Sequence, residues 1–124
     1  MLVVDDHPDT ADVIAMMMRT LGHECRTATT GEDGLALAHE MRPDIALLDI
    51  GMPDLSGYEL ARSLRARLGN SVYLAAITGW GEPSDRARAY AAGFDLHVIK
   101  PASGVMINDI LLTAERHFSA ADPT

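Results

Sequence analysis

The stretch DIALLDIGMPDLSG, residues 44–57, passes from an apolar run directly into an acid at Asp49 and then into a loop rich in turn-forming residues. Ala46, Leu47 and Leu48 are typical of a strand in a parallel sheet, where helices cover both faces. A buried strand has no structural need to end on a carboxylate. The position of Asp49 therefore indicates a function at the end of this strand.

Strand-like and helix-like segments alternate along the whole chain. Strands are predicted over residues 2–6, 24–28, 44–49, 72–78 and 96–99. Helices are predicted over residues 8–21, 30–41, a third segment capped by Ser56, 84–92, and a last segment that ends at Phe118. This alternation predicts an α/β fold of five strand–helix units, (βα)5, with a doubly wound parallel sheet between two layers of helices.

Apolar stripes at helical spacing predict which helix faces are buried. The stripe of the first helix consists of Ile14, Met17, Met18 and Leu21, and the run from Met16 to Met18 is interpreted as core filling. The stripe of the last helix consists of Ile107, Ile110, Leu111, Ala114 and Phe118. The second strand is weakly patterned and is predicted at a sheet edge. Residues 1–118 are thus predicted to form a single domain, followed by a disordered tail at 119–124.

Charge and composition narrow the classes of function. The formal net charge of −8 makes a general electrostatic contact with DNA unfavourable, so we expect no nucleic-acid partner. No apolar run approaches the about 20 residues that span a bilayer, and no secretion signal is visible, so we expect no membrane contact. Cys25 is the single cysteine and cannot form an internal disulfide, which favours a cytoplasmic location.

Polar residues stand at four of the five predicted strand ends. They are Asp5 and Asp6, then Asp49, then Thr78, then Lys100. Ligands of parallel α/β sheets lie beyond these ends, at the point where the strand order reverses. If the first and third strands are neighbours, three carboxylates converge there and need a cation. Mg²⁺ suits such oxygen ligands.

Each of these residues also has an ordinary explanation. Asp5 or Asp6 could cap the first helix, Thr78 could be a plain strand residue, and Lys100 could be a surface lysine. Asp49 is the hardest to explain in this way. The occurrence of all five at successive strand ends favours a common site over five independent explanations.

Four motifs, VVDD, LLDIGMPDLSG, AITGWG and VIKP, follow in order on these strands. They resemble the receiver domain of bacterial two-component response regulators, above all receivers attached to hybrid sensor histidine kinases, over essentially the whole chain. The resemblance implies a flavodoxin-like sheet in the order 2-1-3-4-5. It also implies a phosphorelay signalling domain that takes a phosphoryl group from a phosphohistidine donor with Mg²⁺ or Mn²⁺. Such a domain is not an enzyme, since it catalyses only its own phosphorylation and slow dephosphorylation.

The resemblance assigns the acceptor and the metal ligands. Asp49 matches the phosphoacceptor, which also contacts the metal. Asp5 and Asp6 match the metal-binding acids, and the backbone carbonyl of Gly51 matches a further metal ligand. A small loop residue such as Gly57 is expected to permit the close turn into the third helix.

Three further matches concern the bound phosphoryl group and the switch. Thr78 matches the switch hydroxyl that turns toward the phosphoryl group, and Lys100 matches the lysine that pairs with its oxygens. The bond between Lys100 and Pro101 matches a peptide that is cis in the family. His97 stands where the family usually carries an aromatic switch residue. The alternative for His97 is a half-exposed strand residue.

The resemblance also implies that two positions tune dephosphorylation. They are Gly51, two residues beyond Asp49, and Trp80, two residues beyond Thr78. Neither side chain offers the carboxylate or amide that orients an attacking water, so we expect slow loss of the phosphoryl group.

The resemblance also implies the partners of the domain. The expected donor is a histidine kinase or a histidine phosphotransfer domain, and the output is left open between a homodimer and an output domain in the same protein.

A non-switching docking module is the main alternative function. An aspartyl-phosphate phosphohydrolase is disfavoured because Gly51 offers no acid or base, and a flavin binder because DDHPDT would repel a phosphate. No output domain follows residue 118, so we expect a stand-alone receiver or one excised from a larger protein.

Overall fold

The computed structural model describes residues 1–52, 54–79, 86–99 and 103–121. In this part of the chain the strands are β1 (Leu2–Val4), β2 (Arg26–Ala28), β3 (Ile45–Asp49), β4 (Tyr73–Thr78) and β5 (Leu96–Ile99). The helices are α1 (Pro8–Thr20), α2 (Gly31–Met41), α3 (Gly57–Leu68), α4 (Arg86–Ala92) and α5 (Gly104–Ala121), with a 3₁₀ turn at Gly69–Ser71. Among these helices, none is both long and apolar enough to cross a membrane.

All strand pairings are parallel, and the sheet order is β2-β1-β3-β4-β5. This confirms the doubly wound architecture, the predicted order and the edge position of β2. Val4 pairs with Leu48, and Asp49 pairs with Ile77. The ends of β1, β3 and β4 therefore lie side by side at the centre of one sheet edge.

Successive strand residues point to opposite faces of the sheet, and each face has its own core. One core joins the sheet to α2, α3 and α4 and includes Val4, Leu48, Leu64, Ala76 and Ala89. The other joins it to α1 and α5 and includes Val3, Ile14, Leu47, Ile77 and Ile110. A rigid, doubly covered sheet results, so the residues at its central strand ends are held in fixed positions.

Strand β1 is shorter than the predicted 2–6, because the chain turns away after Val4. The backbone N–H of Asp5 still donates to Ala28 O at 3.1 Å, as in a continuing ladder. The side chain of Asp5 then accepts a hydrogen bond from the backbone N–H of His7 at 2.9 Å. This local turn ends the strand and directs the chain into α1.

The interpretation of the methionine run in α1 is only partly right. Ile14 and Met18 are buried and Met17 is partly buried, as predicted. Met16 is 65% exposed because it lies on the opposite side of the helix from that stripe. Leu21 is 57% exposed because the helix ends one residue before it.

Helix α5 confirms the predicted stripe and extends past its predicted end at Phe118. Ile107, Ile110 and Ala114 are buried, and Leu111 packs partly against them. The helix continues to Ala121, so the first residues of the predicted disordered tail at 119–124 are helical. The first tail residues include two alanines, and alanine has the highest helix propensity, so the helix continues through them. The domain boundary at residue 118 stays a prediction.

Helix α4 is short and lightly anchored. It covers Arg86–Ala92, and residues 84 and 85 of the predicted helix 84–92 lie outside the described residues. Tyr90, its one large apolar side chain, is 51% exposed. The helix instead contacts the core through Ala89 and Ala92.

Candidate functional site

Three carboxylates converge at the ends of β1 and β3. Asp5 is fully buried, Asp49 is 3% exposed, and Asp6 is half-buried. Ligand atoms of Asp5, Asp6, His7 and Asp49 all lie within 4.8 Å of one another. The convergence expected from the strand order is therefore present, and it includes a histidine that was not predicted.

This cluster fits the divalent cation that the resemblance implies. Carboxylates this close repel one another, and two of the three lie in the low-dielectric interior, where a cation offsets the charge most effectively. Carboxylate oxygens are the ligands that Mg²⁺ and Mn²⁺ prefer.

Neither acid of the pair takes up the N-cap position of α1. The N-cap is His7, whose side chain makes no capping hydrogen bond, and Pro8 occupies the first turn as predicted. Asp5 Oδ1 accepts from His7 N at 2.9 Å and lies 3.2 Å from His7 Nδ1, and Asp6 Oδ1 lies 3.2 Å from the same nitrogen. The acids thus face the imidazole instead of capping the helix.

Backbone hydrogen bonds fix the loop that follows Asp49. Asp49 Oδ1 accepts from Gly51 N at 3.0 Å. Ile50 N donates to Ile77 O at 3.1 Å, and Gly57 N donates to Ile50 O at 3.2 Å. Ser56 caps α3 as predicted, with its Oγ accepting from Glu59 N at 3.3 Å.

Gly57 is required because backbone atoms approach it closely. A Cβ built at position 57 would lie 2.5 Å from Asp49 O and 2.7 Å from Ile50 Cα. Real Cβ atoms essentially never approach other heavy atoms this closely. The expected close turn is confirmed, and its physical reason is the contact between the start of α3 and the backbone of Asp49.

Asp54 ties the same loop to α2. Its carboxylate accepts from Gly31 N at 3.0 Å and from Glu32 N at 3.2 Å, at the positive end of the helix dipole. These backbone hydrogen bonds, that of Gly31 first, hold the pKa of the Asp54 carboxyl below its usual value. Sequence reasoning missed this contact because its partners lie 23 and 22 residues away.

Thr78 and His97 lie on the strands beyond the cluster. Thr78 is buried at the end of β4, one position past Ile77, the partner of Asp49. His97 pairs with Ala76 and is 7% exposed, so the half-exposed alternative for it is wrong. Ala76 belongs to the core formed with α2, α3 and α4. Thr78 lies two positions past Ala76 on the same strand, and His97 is the partner of Ala76 on β5. Both side chains therefore lie on the α4 side of the sheet.

A sequence model of the response regulator receiver domain matches residues 1–111. The chain belongs to the receiver domain family. Its relatives include the sensor histidine kinase RcsC of Escherichia coli, 34% identical over 93% of this chain, and the probable transcriptional regulatory protein TcrX of Mycobacterium tuberculosis, 38% identical over 82%. The chain spans 12% of the first and 43% of the second.

Solved structures agree with this fold. A response regulator receiver domain protein (CheY-like) from Methanospirillum hungatei matches this receiver domain with a TM-score of 0.87. The two chains are 24% identical, and the match covers 96% of this chain and 95% of the other. The flavodoxin-like order inferred from the resemblance is thereby confirmed.

Three predicted residues of the receiver site lie outside the described residues, namely Trp80, Lys100 and Pro101. Their assigned roles, and the cis peptide, stay predictions. His7 is the site residue that sequence reasoning missed. Its position directly after the acid pair, in DDHP, is the signal that could have revealed it.

Proposed function

We propose that Asp49 accepts a phosphoryl group from a phosphohistidine donor, in a reaction that requires Mg²⁺ or Mn²⁺. The observation that supports this most is the cluster of Asp5, Asp6 and Asp49 at neighbouring strand ends of a receiver domain. Uptake of a phosphoryl group from acetyl phosphate by the wild-type chain, and none by Asp49→Ala, is the result expected by intact mass.

The chemistry is a displacement at phosphorus. A carboxylate oxygen of Asp49 forms a bond to phosphorus while the bond from phosphorus to the donor's imidazole nitrogen breaks, and the imidazole leaves with that electron pair. Asp5, Asp6, Asp49 and the carbonyl of Gly51 would hold the cation, which neutralises phosphoryl oxygens when bound. Burial of Asp49 at a rigid strand end keeps the attacking oxygen positioned.

The roles of Thr78 and Lys100 belong to the same proposal. The Thr78 hydroxyl, one position past the partner of Asp49, would donate to a phosphoryl oxygen. Lys100 follows the end of β5 in the sequence and would pair with another phosphoryl oxygen. Both would offset charge on the transferred group.

We expect the donor to be a histidine kinase or a histidine phosphotransfer domain in the cytoplasm. The similarity to a sensor histidine kinase and to a transcriptional regulatory protein supports this setting. We propose that the output comes from a second domain of the same protein or from a homodimer. The net charge of −8 supports the absence of nucleic-acid contact by this domain, for which we also propose no membrane contact.

We expect phosphorylation to change the face formed by α4, β5 and α5. Helix α4 has seven residues, and it contacts the core through two alanines and α3 through Arg88, whose guanidinium lies 4.3 Å from the centre of the Tyr58 ring. With so few contacts, little free energy opposes its movement. His97 lies buried beneath this face, where a switch residue coupled to Thr78 would lie. Amide hydrogen exchange should change in residues 86–99 after phosphorylation. Unchanged exchange there, with Asp49 fully phosphorylated, would contradict the proposed switch face.

We expect slow loss of the phosphoryl group. Gly51 carries no polar side-chain atom to orient an attacking water, and Trp80 offers one donor and no acceptor. A barrier increase of about 1.4 kcal/mol would slow hydrolysis about tenfold. Decay of the phosphorylated protein in magnesium buffer should therefore be faster in Gly51→Asn and in Trp80→Glu. If both variants keep the wild-type lifetime, these two positions do not set it.

A further inference from the structure

We propose that His7 is an additional metal ligand, so that this receiver domain binds its cation through nitrogen as well as oxygen. The inference rests on the proposed metal site and goes beyond it, since the acids and Gly51 alone would form an all-oxygen site. The chemical consequence is that binding of a borderline metal such as Co²⁺ gains more from His7 than binding of the hard cation Mg²⁺.

The distances around the imidazole carry this inference. His7 Nδ1 lies 3.2 Å from Asp5 Oδ1 and 3.2 Å from Asp6 Oδ1. In an octahedral complex with metal–ligand bonds near 2.1 Å, adjacent ligand atoms lie about 3 Å apart. The imidazole nitrogen is therefore spaced from both carboxylates as a neighbouring ligand would be. The corresponding atom of Asp49 lies within 4.8 Å of the other three.

The backbone holds the imidazole in this place. His7 is the N-cap of α1 with an extended backbone, φ −96° and ψ 102°, and its N–H is bound by Asp5 Oδ1. Pro8 fixes the next residue at the start of the helix. The hydrogen bond to Asp5 before His7 and the proline after it together fix the position of the His7 Cα. The side chain is 63% exposed, so a metal ion can reach it from solvent.

The alternative is that His7 serves only as an ion-pair partner of the two acids. An ion pair would be displaced when a cation enters, and the imidazole would then leave the metal to oxygen ligands. The two cases differ in whether nitrogen is bonded to the metal. They also differ in metal preference, since loss of an imidazole ligand weakens binding of Co²⁺ more than that of Mg²⁺.

Pulsed electron paramagnetic resonance of Mn²⁺ added to the metal-free protein reports nitrogen bonded to the ion. We expect a ¹⁴N coupling in the wild-type protein and none in His7→Ala. The matched control His39→Ala, which removes an exposed histidine from α2, should keep the coupling. We also expect the ratio of Co²⁺ to Mg²⁺ affinity to fall at least about tenfold in His7→Ala. Loss of a residue that only hydrogen-bonds to a metal ligand already lowers metal affinity by about tenfold or more.

The outcomes separate the two proposals. Mn²⁺ bound to the wild-type protein without a ¹⁴N coupling would overturn the role of His7 and leave the acidic metal site intact. A coupling that survives in His7→Ala would also overturn it. Failure of the wild-type protein to bind Mn²⁺ at all would overturn the metal site itself, and with it the proposed function. Loss of the coupling in His7→Ala alone would establish His7 as a ligand.

Discussion

Replacing Gly57 with alanine should slow phosphorylation about 100-fold and destabilise the fold. The added methyl group would lie 2.5 Å from Asp49 O and 2.7 Å from Ile50 Cα, so one of these backbone segments must move. Neither is the flexible end of a side chain that could turn aside. A shift of about 1 Å in a reacting group costs about 100-fold in rate. Overpacking of this kind costs about 1–3 kcal/mol in the free energy of unfolding.

The two effects are measured by the rate of phosphoryl uptake from acetyl phosphate and by the denaturant midpoint. Gly104→Ala is the matched control, because nothing lies within 4 Å of a Cβ at that position. Gly104 is the first residue of α5, where alanine favours the helix, so the control should keep both the rate and the stability of the wild-type protein. A Gly57→Ala variant with both values unchanged would refute the account of this loop.

The secondary structure and the burial pattern were largely predictable from the sequence, because both follow local periodicity. Strand β5 lies at 96–99 as predicted, and the apolar run before Asp49 forms the fully buried β3. Two errors occur at helix ends, namely at Leu21 and in the helical start of the predicted tail. The error at Met16 arose because the whole methionine run was interpreted as core, although Met16 lies off the apolar stripe. Strand order required the resemblance, since periodicity within a strand does not determine its neighbours.

The candidate site was predictable to the extent that it depends on strand ends. Asp5 and Asp49 were found because each ends or directly follows a buried strand. Asp54 and His7 were missed for physical reasons of two kinds. The partners of Asp54 lie on a helix distant in sequence, and a histidine at a helix start has an ordinary structural explanation.

Replacing Asp49 with alanine should abolish phosphoryl uptake without unfolding the protein. Asp49 is 3% exposed and lies among two other carboxylates, so its removal lowers the repulsion within the cluster. The variant should therefore be at least as resistant to thermal unfolding as the wild-type chain. The fully buried Asp5, whose Oδ1 accepts from His7 N, is not expected to take over as acceptor.

The most direct test of phosphoacceptance at Asp49 is the intact mass after incubation with acetyl phosphate and Mg²⁺. We expect one added phosphoryl group on the wild-type chain and on Asp12→Ala, which removes an exposed carboxylate from α1. We expect none on Asp49→Ala, and none on the wild-type chain when the divalent cation is chelated. An added phosphoryl group on Asp49→Ala, or full uptake in the presence of the chelator, would contradict the proposed function.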